Sequence, residues 1–392
     1  MTSTALVDHS IHSAETALAG TLARTHLSQY VSSCVLHTMY LASSNIYFRD
    51  MAPNKAQVSW EKTSVSSPAV AAATPVIAAK NIPYFPGANR LQTLSIYLPA
   101  TRSNESLIGT PASSLPRADV APRTLVHIHG GAWRDPNLTS ASIEATVAHA
   151  FSKKDGESPI TPIAALNYTI SPTQHPLFHP YDPIKENHSD PAREAVHPMH
   201  VRDVLHGFEL LRSFGLKDDS YILSGHSAGA CLGCQVTLQP PSHYGLNSTL
   251  APPRPAAFLG MNGLYDLRQL VHGLGPLHAH IKDDYRTFLS IAFDEDETKW
   301  GAASPARFDV DDIVEQVNNG KAPKLVVLDQ SIEDQLVPMN QRDRMVIQLE
   351  QVPGIKVVKG QRLTGRHSDP WIEGGMIWDS MLDVLKLLQG SA

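Results

Sequence analysis

The sequence predicts an α/β fold: a mostly parallel central sheet with helices on both faces. Two observations carry that expectation. From about residue 82, short β-branched apolar runs alternate with helical stretches over roughly three hundred residues, the pattern of strand–helix–strand units. The chain is also long, at 392 residues, and 42% hydrophobic, enough to bury such a sheet on both sides.

Taken in order, the elements read as follows. LQTLSIYLP (91–99) is an early strand with turn chemistry after it. TLVHIH (124–129) is a continuous apolar run and so a buried strand, and PIAALNYT (162–169) is another. AVHPMHVRDVLHGFELLRSFG (195–215) is a helix stopped by Gly215. SYILSG (220–225) is a strand and AGACLGCQVTL (228–238) the helix after it. AAFLGMNGL (256–264), KLVVLDQS (324–331) and IKVVKG (355–360) are further strands, and MIWDSMLDVLKLLQ (376–389) closes the chain as an amphipathic helix. Residues 171–198 are crowded with Pro and His and follow neither period. A long irregular segment in a compact domain is often functional, so it reads either as a loop shaping a pocket at the sheet's carboxyl edge or as an exposed insertion.

Residues 1–80 differ in composition. They are rich in Ser, Thr and Ala, and SSPAVAAATPVIAAK (66–80) has the make-up of a linker. The expected division is therefore a poorly ordered, low-complexity extension over 1–80 and a catalytic domain over 81–392.

Bulk chemistry narrows the functional classes. The net charge of −6 is spread along the chain, without the basic run that nucleic acid or a membrane surface would require. No apolar run approaches the length of a membrane span. Three cysteines are too few for a disulfide scaffold in a chain of this length and suit a reducing compartment, so a cytoplasmic location is expected. Cys231 and Cys234 form a C-x-x-C, but no second pair completes a zinc site, and the spacing fits one buried helix face. No metal and no cofactor are expected.

The chemistry concentrates in four places. Gly225-His226-Ser227-Ala228-Gly229 matches G-x-S-x-G between an apolar strand and a helix, the setting in which a sharp turn lifts a serine hydroxyl clear of a sheet. Ser227 is the expected nucleophile. His129-Gly130-Gly131-Ala132-Trp133 follows the strand TLVHIH, and its glycines can turn backbone N–H groups toward a developing oxyanion. Gly130, Gly131 and Ala228 are the expected oxyanion donors. Both motifs after strands, in this order, point to the α/β-hydrolase fold, in which the chain order is serine, acid, histidine. Asp334, in the loop after KLVVLDQS, is the expected acid; Glu333 is the neighbouring alternative, and Asp329 lies too far inside the strand. Only His367 follows the acid, in a loop after IKVVKG, and it is the expected base.

HGGAW together with GHSAG resembles kynurenine formamidase (arylformamidase) of the fungal type, over about residues 82–392. The resemblance implies a cofactor-free serine hydrolase cleaving N-formyl-L-kynurenine to L-kynurenine and formate, in the tryptophan-to-kynurenine route that feeds NAD synthesis. It places the triad on Ser227, Asp334 and His367 and the motif on His129 to Trp133, with the small-molecule substrate as partner and a homodimer as the candidate assembly. General carboxylesterases share the same catalytic residues, and a non-enzymatic binding protein on this fold is the more distant alternative. His129 and Trp133 are the expected motif residues of the substrate pocket, and Trp133 is open to two readings: a wall on the acyl side of that pocket, or a core residue bracing the loop.

Overall fold

The computed structural model describes residues 58–115, 124–152 and 158–390. Among them nine strands form one sheet: β1 (Glu61–Val65), β2 (Thr74–Pro83), β3 (Thr93–Pro99), β4 (Thr124–Ile128), β5 (Ile163–Leu166), β6 (Tyr221–His226), β7 (Ala257–Met261), β8 (Leu325–Asp329) and β9 (Lys356–Lys359). Their spatial order is β1-β2-β3-β5-β4-β6-β7-β8-β9. The first three pair antiparallel, through to β3 on β5, and the remaining six are parallel. The helices of eight or more residues are α1 (Glu144–Phe151), α2 (Met199–Ser213), α3 (Ala228–Leu238), α4 (Lys282–Phe293), α5 (Val310–Asn318), α6 (Asn340–Glu350) and α7 (Gly375–Gln389).

Period-two alternation sends each parallel strand's side chains into two separate cores. Val126, Ile128, Leu223, Phe258, Val326 and Leu328 meet α2, α3, α5 and α6 on one face. Leu125, Ile222, Leu259 and Val327 meet α1 and α7 on the other. That is why these strands read as unbroken apolar runs rather than as alternating ones.

The predicted boundary at residue 80 is corrected: it falls inside β2. Residues 61–83 supply the two outermost antiparallel strands, in which Val76, Ile77 and Ala79 are fully buried, as is Trp60 just before them. The Ala/Pro composition resembled a linker because strand propensity depends on what a strand packs against. The part of the proposed extension before residue 58 lies outside the described residues. The helix expected over 195–215 is α2, which begins only after Pro198. The irregular segment 171–198 carries two 3₁₀ turns, Pro176–Phe178 and Pro191–Arg193, and buries Phe178, Tyr181, Ala192 and Arg193, while Ile184 is exposed. An Arg90–Asp190 ion pair and a Tyr181–Glu194 hydrogen bond tie it down.

The parallel strands all deliver their carboxyl ends to one edge. The chain moves outward in one direction from β4 to β5 and in the other from β6 to β9, so β4 and β6 flank the topological switch point where ligands bind in such sheets.

Candidate active site

Ser227 occupies the turn between β6 and α3 with φ 55° and ψ −121°, a left-handed backbone that a non-glycine residue adopts only when its surroundings impose it. Two glycines make the turn fit. A side chain at Gly225 would lie 2.3 Å from the Gly229 carbonyl oxygen, and one at Gly229 would lie 2.1 Å from the Ile128 carbonyl oxygen. Helix α3 therefore starts in direct contact with the end of β4, and Ser227 is held at its N-terminus, with its own N–H bonded to the Met261 carbonyl at 2.9 Å.

The HGGAW loop leaves β4 beside this turn. A Cβ built on Gly130 would sit 3.0 Å from that of Ser227. The loop turns through three consecutive positive-φ residues, Gly131, Ala132 and Trp133. Its carbonyls are occupied: Tyr168 donates to that of Gly130 at 2.8 Å, and the Arg134 and Asp135 amides donate to that of Gly131 at 2.9 Å. No acceptor among the described residues takes the N–H of Gly130, Gly131 or Ala228. These are the donors the sequence assigned to an oxyanion.

Across the site, His367 Nδ1 lies 2.8 Å from Asp334 Oδ2, with the carboxylate fully buried. The other oxygen of Asp334 accepts the amides of Leu336 at 2.9 Å and Val337 at 2.8 Å. Glu333 faces elsewhere: it accepts the Gly365 amide at 2.7 Å on the outside of the loop. Asp329, at the end of β8, accepts the Arg362 amide and Ser380 and takes no part in this pair. The structure thus pairs Asp334 with His367 and sets Ser227 against the glycine loop, and the two halves meet through His226, the residue before Ser227, whose ring lies 4.7 Å from that of His367.

His129 and Trp133 lie deeper than the pocket reading placed them, and that reading is corrected. Trp133 has no exposed surface and packs edge-on against Phe293 at 4.9 Å. His129 is buried and stacked on Tyr168 at 4.5 Å, with Nδ1 donating to the Gly130 carbonyl at 2.9 Å. Both brace the loop from beneath. Trp133 is pulled inward because α4 presents Phe288 and Phe293 to it, and nothing local in HGGAW announces that long-range contact.

Several supporting residues escaped the sequence reading. His226 donates from Nε2 to the His367 carbonyl at 3.0 Å, and burial, then the neighbouring His367, push its pKa well below the usual imidazole range. Gln335 accepts the His367 amide at 2.9 Å, and His278 donates to the Asp334 carbonyl at 2.9 Å. Helix α4 crosses between the two halves of the site: Tyr285 donates to the Leu336 carbonyl in the acid loop, while Asp284 pairs with Arg134 beside the glycine loop. Only His226, inside G-x-S-x-G, carried a motif that could have flagged it.

A serine on such a turn, beside backbone N–H groups and joined through the preceding residue to a histidine fixed by a carboxylate, has the parts needed to attack a carbonyl and stabilise the resulting oxyanion. Solved structures share the architecture. Esterase B from Lactobacillus rhamnosis superposes with a TM-score of 0.54 at 13% identity, over 96% of both chains. A truncated carbohydrate esterase from gut microbiota gives 0.51 at 15% identity, over 84% of this chain and 99% of that one. The fold is that of the α/β-hydrolases, and the protein is a hydrolase. No protein-family model matches the chain. It is 31% identical over 300 residues to a kynurenine formamidase-like hydrolase of Fusarium equiseti, covering 75% of this chain and 89% of that protein. It is 31% identical over 265 residues to a kynurenine formamidase of Aspergillus versicolor, covering 64% and 85%. The chain belongs to the kynurenine formamidase family.

Proposed function

We propose that this hydrolase cleaves the formamide of N-formyl-L-kynurenine, releasing L-kynurenine and formate, as a step of tryptophan breakdown toward NAD. The observation that carries the chemistry is the buried Asp334–His367 pair beside the strained Ser227 turn and the glycine loop. The formyl substrate enters from the names of the relatives.

His367 takes the Ser227 proton as Oγ attacks the formyl carbon. The N–H groups of Gly130, Gly131 and Ala228 hold the oxyanion. His367 passes its proton to the departing aryl amine, leaving a formyl ester on Ser227. Water then attacks that ester, His367 takes the water proton, and formate departs as the proton returns to Oγ. Asp334 orients the imidazole and stabilises its charged form. Part of this reading is a cytoplasmic location, for which the low cysteine content speaks.

Steady-state kcat/KM on N-formyl-L-kynurenine and on p-nitrophenyl acetate tests the proposal. The formamide is expected to be the better substrate; an enzyme that prefers the ester is a general carboxylesterase instead. Ser227→Ala should lower turnover on the order of 10⁶-fold with its melting temperature retained. A variant with near-normal activity would remove Ser227 from its role.

A further inference from the structure

The pair that ties α4 to the glycine loop is unusual for a surface latch. The Arg134 side chain is only 4% exposed, and its guanidinium carbon lies 5.1 Å from the ring centre of Phe178 and 4.9 Å from that of Phe288. Its Nη2 donates to Asp284 Oδ2 at 2.7 Å, yet its buried Nε–H has no partner among the described residues. Asp284 is 42% exposed on its solvent side, and its second oxygen accepts no hydrogen bond among the described residues. His175, stacked on Phe178 at 4.7 Å, feels both charges. All of this stands next to the site. The Arg134 amide is bonded to the Gly131 carbonyl, and the residue after Asp284 is bonded to the acid loop.

We propose that Arg134 and Asp284 form the receptor for the α-amino-acid end of the substrate, Arg134 taking the carboxylate and Asp284 the ammonium group. The inference rests on the formylkynurenine reading and deepens it. A guanidinium packed against two rings is fixed in orientation, and with Nη2 on Asp284 and Nε enclosed it offers a carboxylate its remaining nitrogen, Nη1. A partly exposed carboxylate whose second oxygen accepts no bond among the described residues complements an ammonium group. The pair is neutral as a whole, so a zwitterion is matched charge for charge, and an anion or cation alone is not. The aryl ketone of formylkynurenine separates this end from the formyl group, so the two ends need distinct sites, with the glycine loop on the reacting side and the pair on the other.

The test compares four substrates: N-formyl-L-kynurenine, N-formylkynuramine (no carboxylate), 3-(2-formamidobenzoyl)propanoate (no ammonium) and N-formylaniline (neither). Arg134→Gln is expected to lower kcat/KM for the two carboxylate-bearing substrates on the order of 10- to 100-fold more than for the other two, chiefly through KM. Arg134→Lys should recover part of that loss. Asp284→Asn should instead weigh on the two ammonium-bearing substrates. If the variants lower all four alike, the pair is a structural latch and the proposal fails while the substrate reading stands. If the unaltered enzyme handles N-formyl-L-kynurenine no better than N-formylaniline, the substrate reading itself fails and takes the receptor with it. Melting temperatures of all three variants check folding, and Asp284→Asn tests the idea even where Arg134→Gln is unstable.

Discussion

Among the described residues, the Asp334 carboxylate takes three hydrogen bonds, one from the imidazole of His367 and two from backbone amides, whereas Glu333 takes a single backbone amide on the outer side of its loop. Removing the charge from each therefore has different consequences. Asp334→Asn should lower turnover on the order of 10⁴-fold, because the imidazole loses the partner that fixes its tautomer. Glu333→Gln should cost far less; the reverse ranking in steady-state assays would exchange their roles. Trp133 belongs to the same scale. Its indole is enclosed by the core and touches Phe293 and Phe288, so Trp133→Ala should destabilise the fold by about 3–5 kcal/mol. The ratio of formyl to acetyl hydrolysis should stay as it was. A changed ratio in a variant of normal melting temperature would restore the pocket-wall reading. The sequence could place Asp334 and Glu333 in one loop, but two adjacent carboxylates differ only in which way the folded loop turns them.

At the scale of elements, β1 and β2 decide where the domain begins. β2 is paired on both sides, and Trp60, just before β1, is completely buried and bonded through its amide to the Thr110 carbonyl. A chain beginning at residue 81 would lose β1 and most of β2, leaving β3, still paired with β5, as an apolar edge open on its other side. It is expected to be insoluble or strongly destabilised. A chain beginning at residue 58 keeps every described strand and should fold. Soluble yield and melting temperature of the two distinguish the cases, and a stable, active chain from residue 81 would refute the role given to these strands. Helix α4 is the other element with reach, since it fastens the acid loop to the glycine loop at consecutive residues, Asp284 and Tyr285.

The whole molecule carries a pH dependence in its buried imidazoles. Burial pushes His127 and His200 down to about 3, and His129 and His197 down to about 4. Unfolding returns them to the ordinary value of 6.5. Between about pH 6.5 and pH 4 the unfolded chain then binds protons that the folded one refuses. Stability is fully present above that window and falls as the pH is lowered through it, by up to about 1.4 kcal/mol per pH unit for each such histidine. Thermal melts at pH 7, 6 and 5 should show a progressive drop, and a level melting temperature would mean that these histidines take up protons in the folded state. Among the described residues no helix is long and apolar enough to cross a membrane.

Local chain chemistry determined a good deal of this protein. The parallel strands were legible because burial on both faces demands unbroken apolar runs, and the Ser227 turn because only small flanking residues tolerate its close approaches. The order of serine, acid and histidine followed from the fold those motifs belong to. Tertiary structure decided the rest. The pairing of β1 and β2, the inward packing of His129 and Trp133, the turning of Asp334 toward His367 and the Arg134–Asp284 contact all join residues distant in the chain or turn on which face of a loop looks inward. Such contacts leave no period or motif in a single sequence, because the energy that selects them comes from what the folded chain brings alongside.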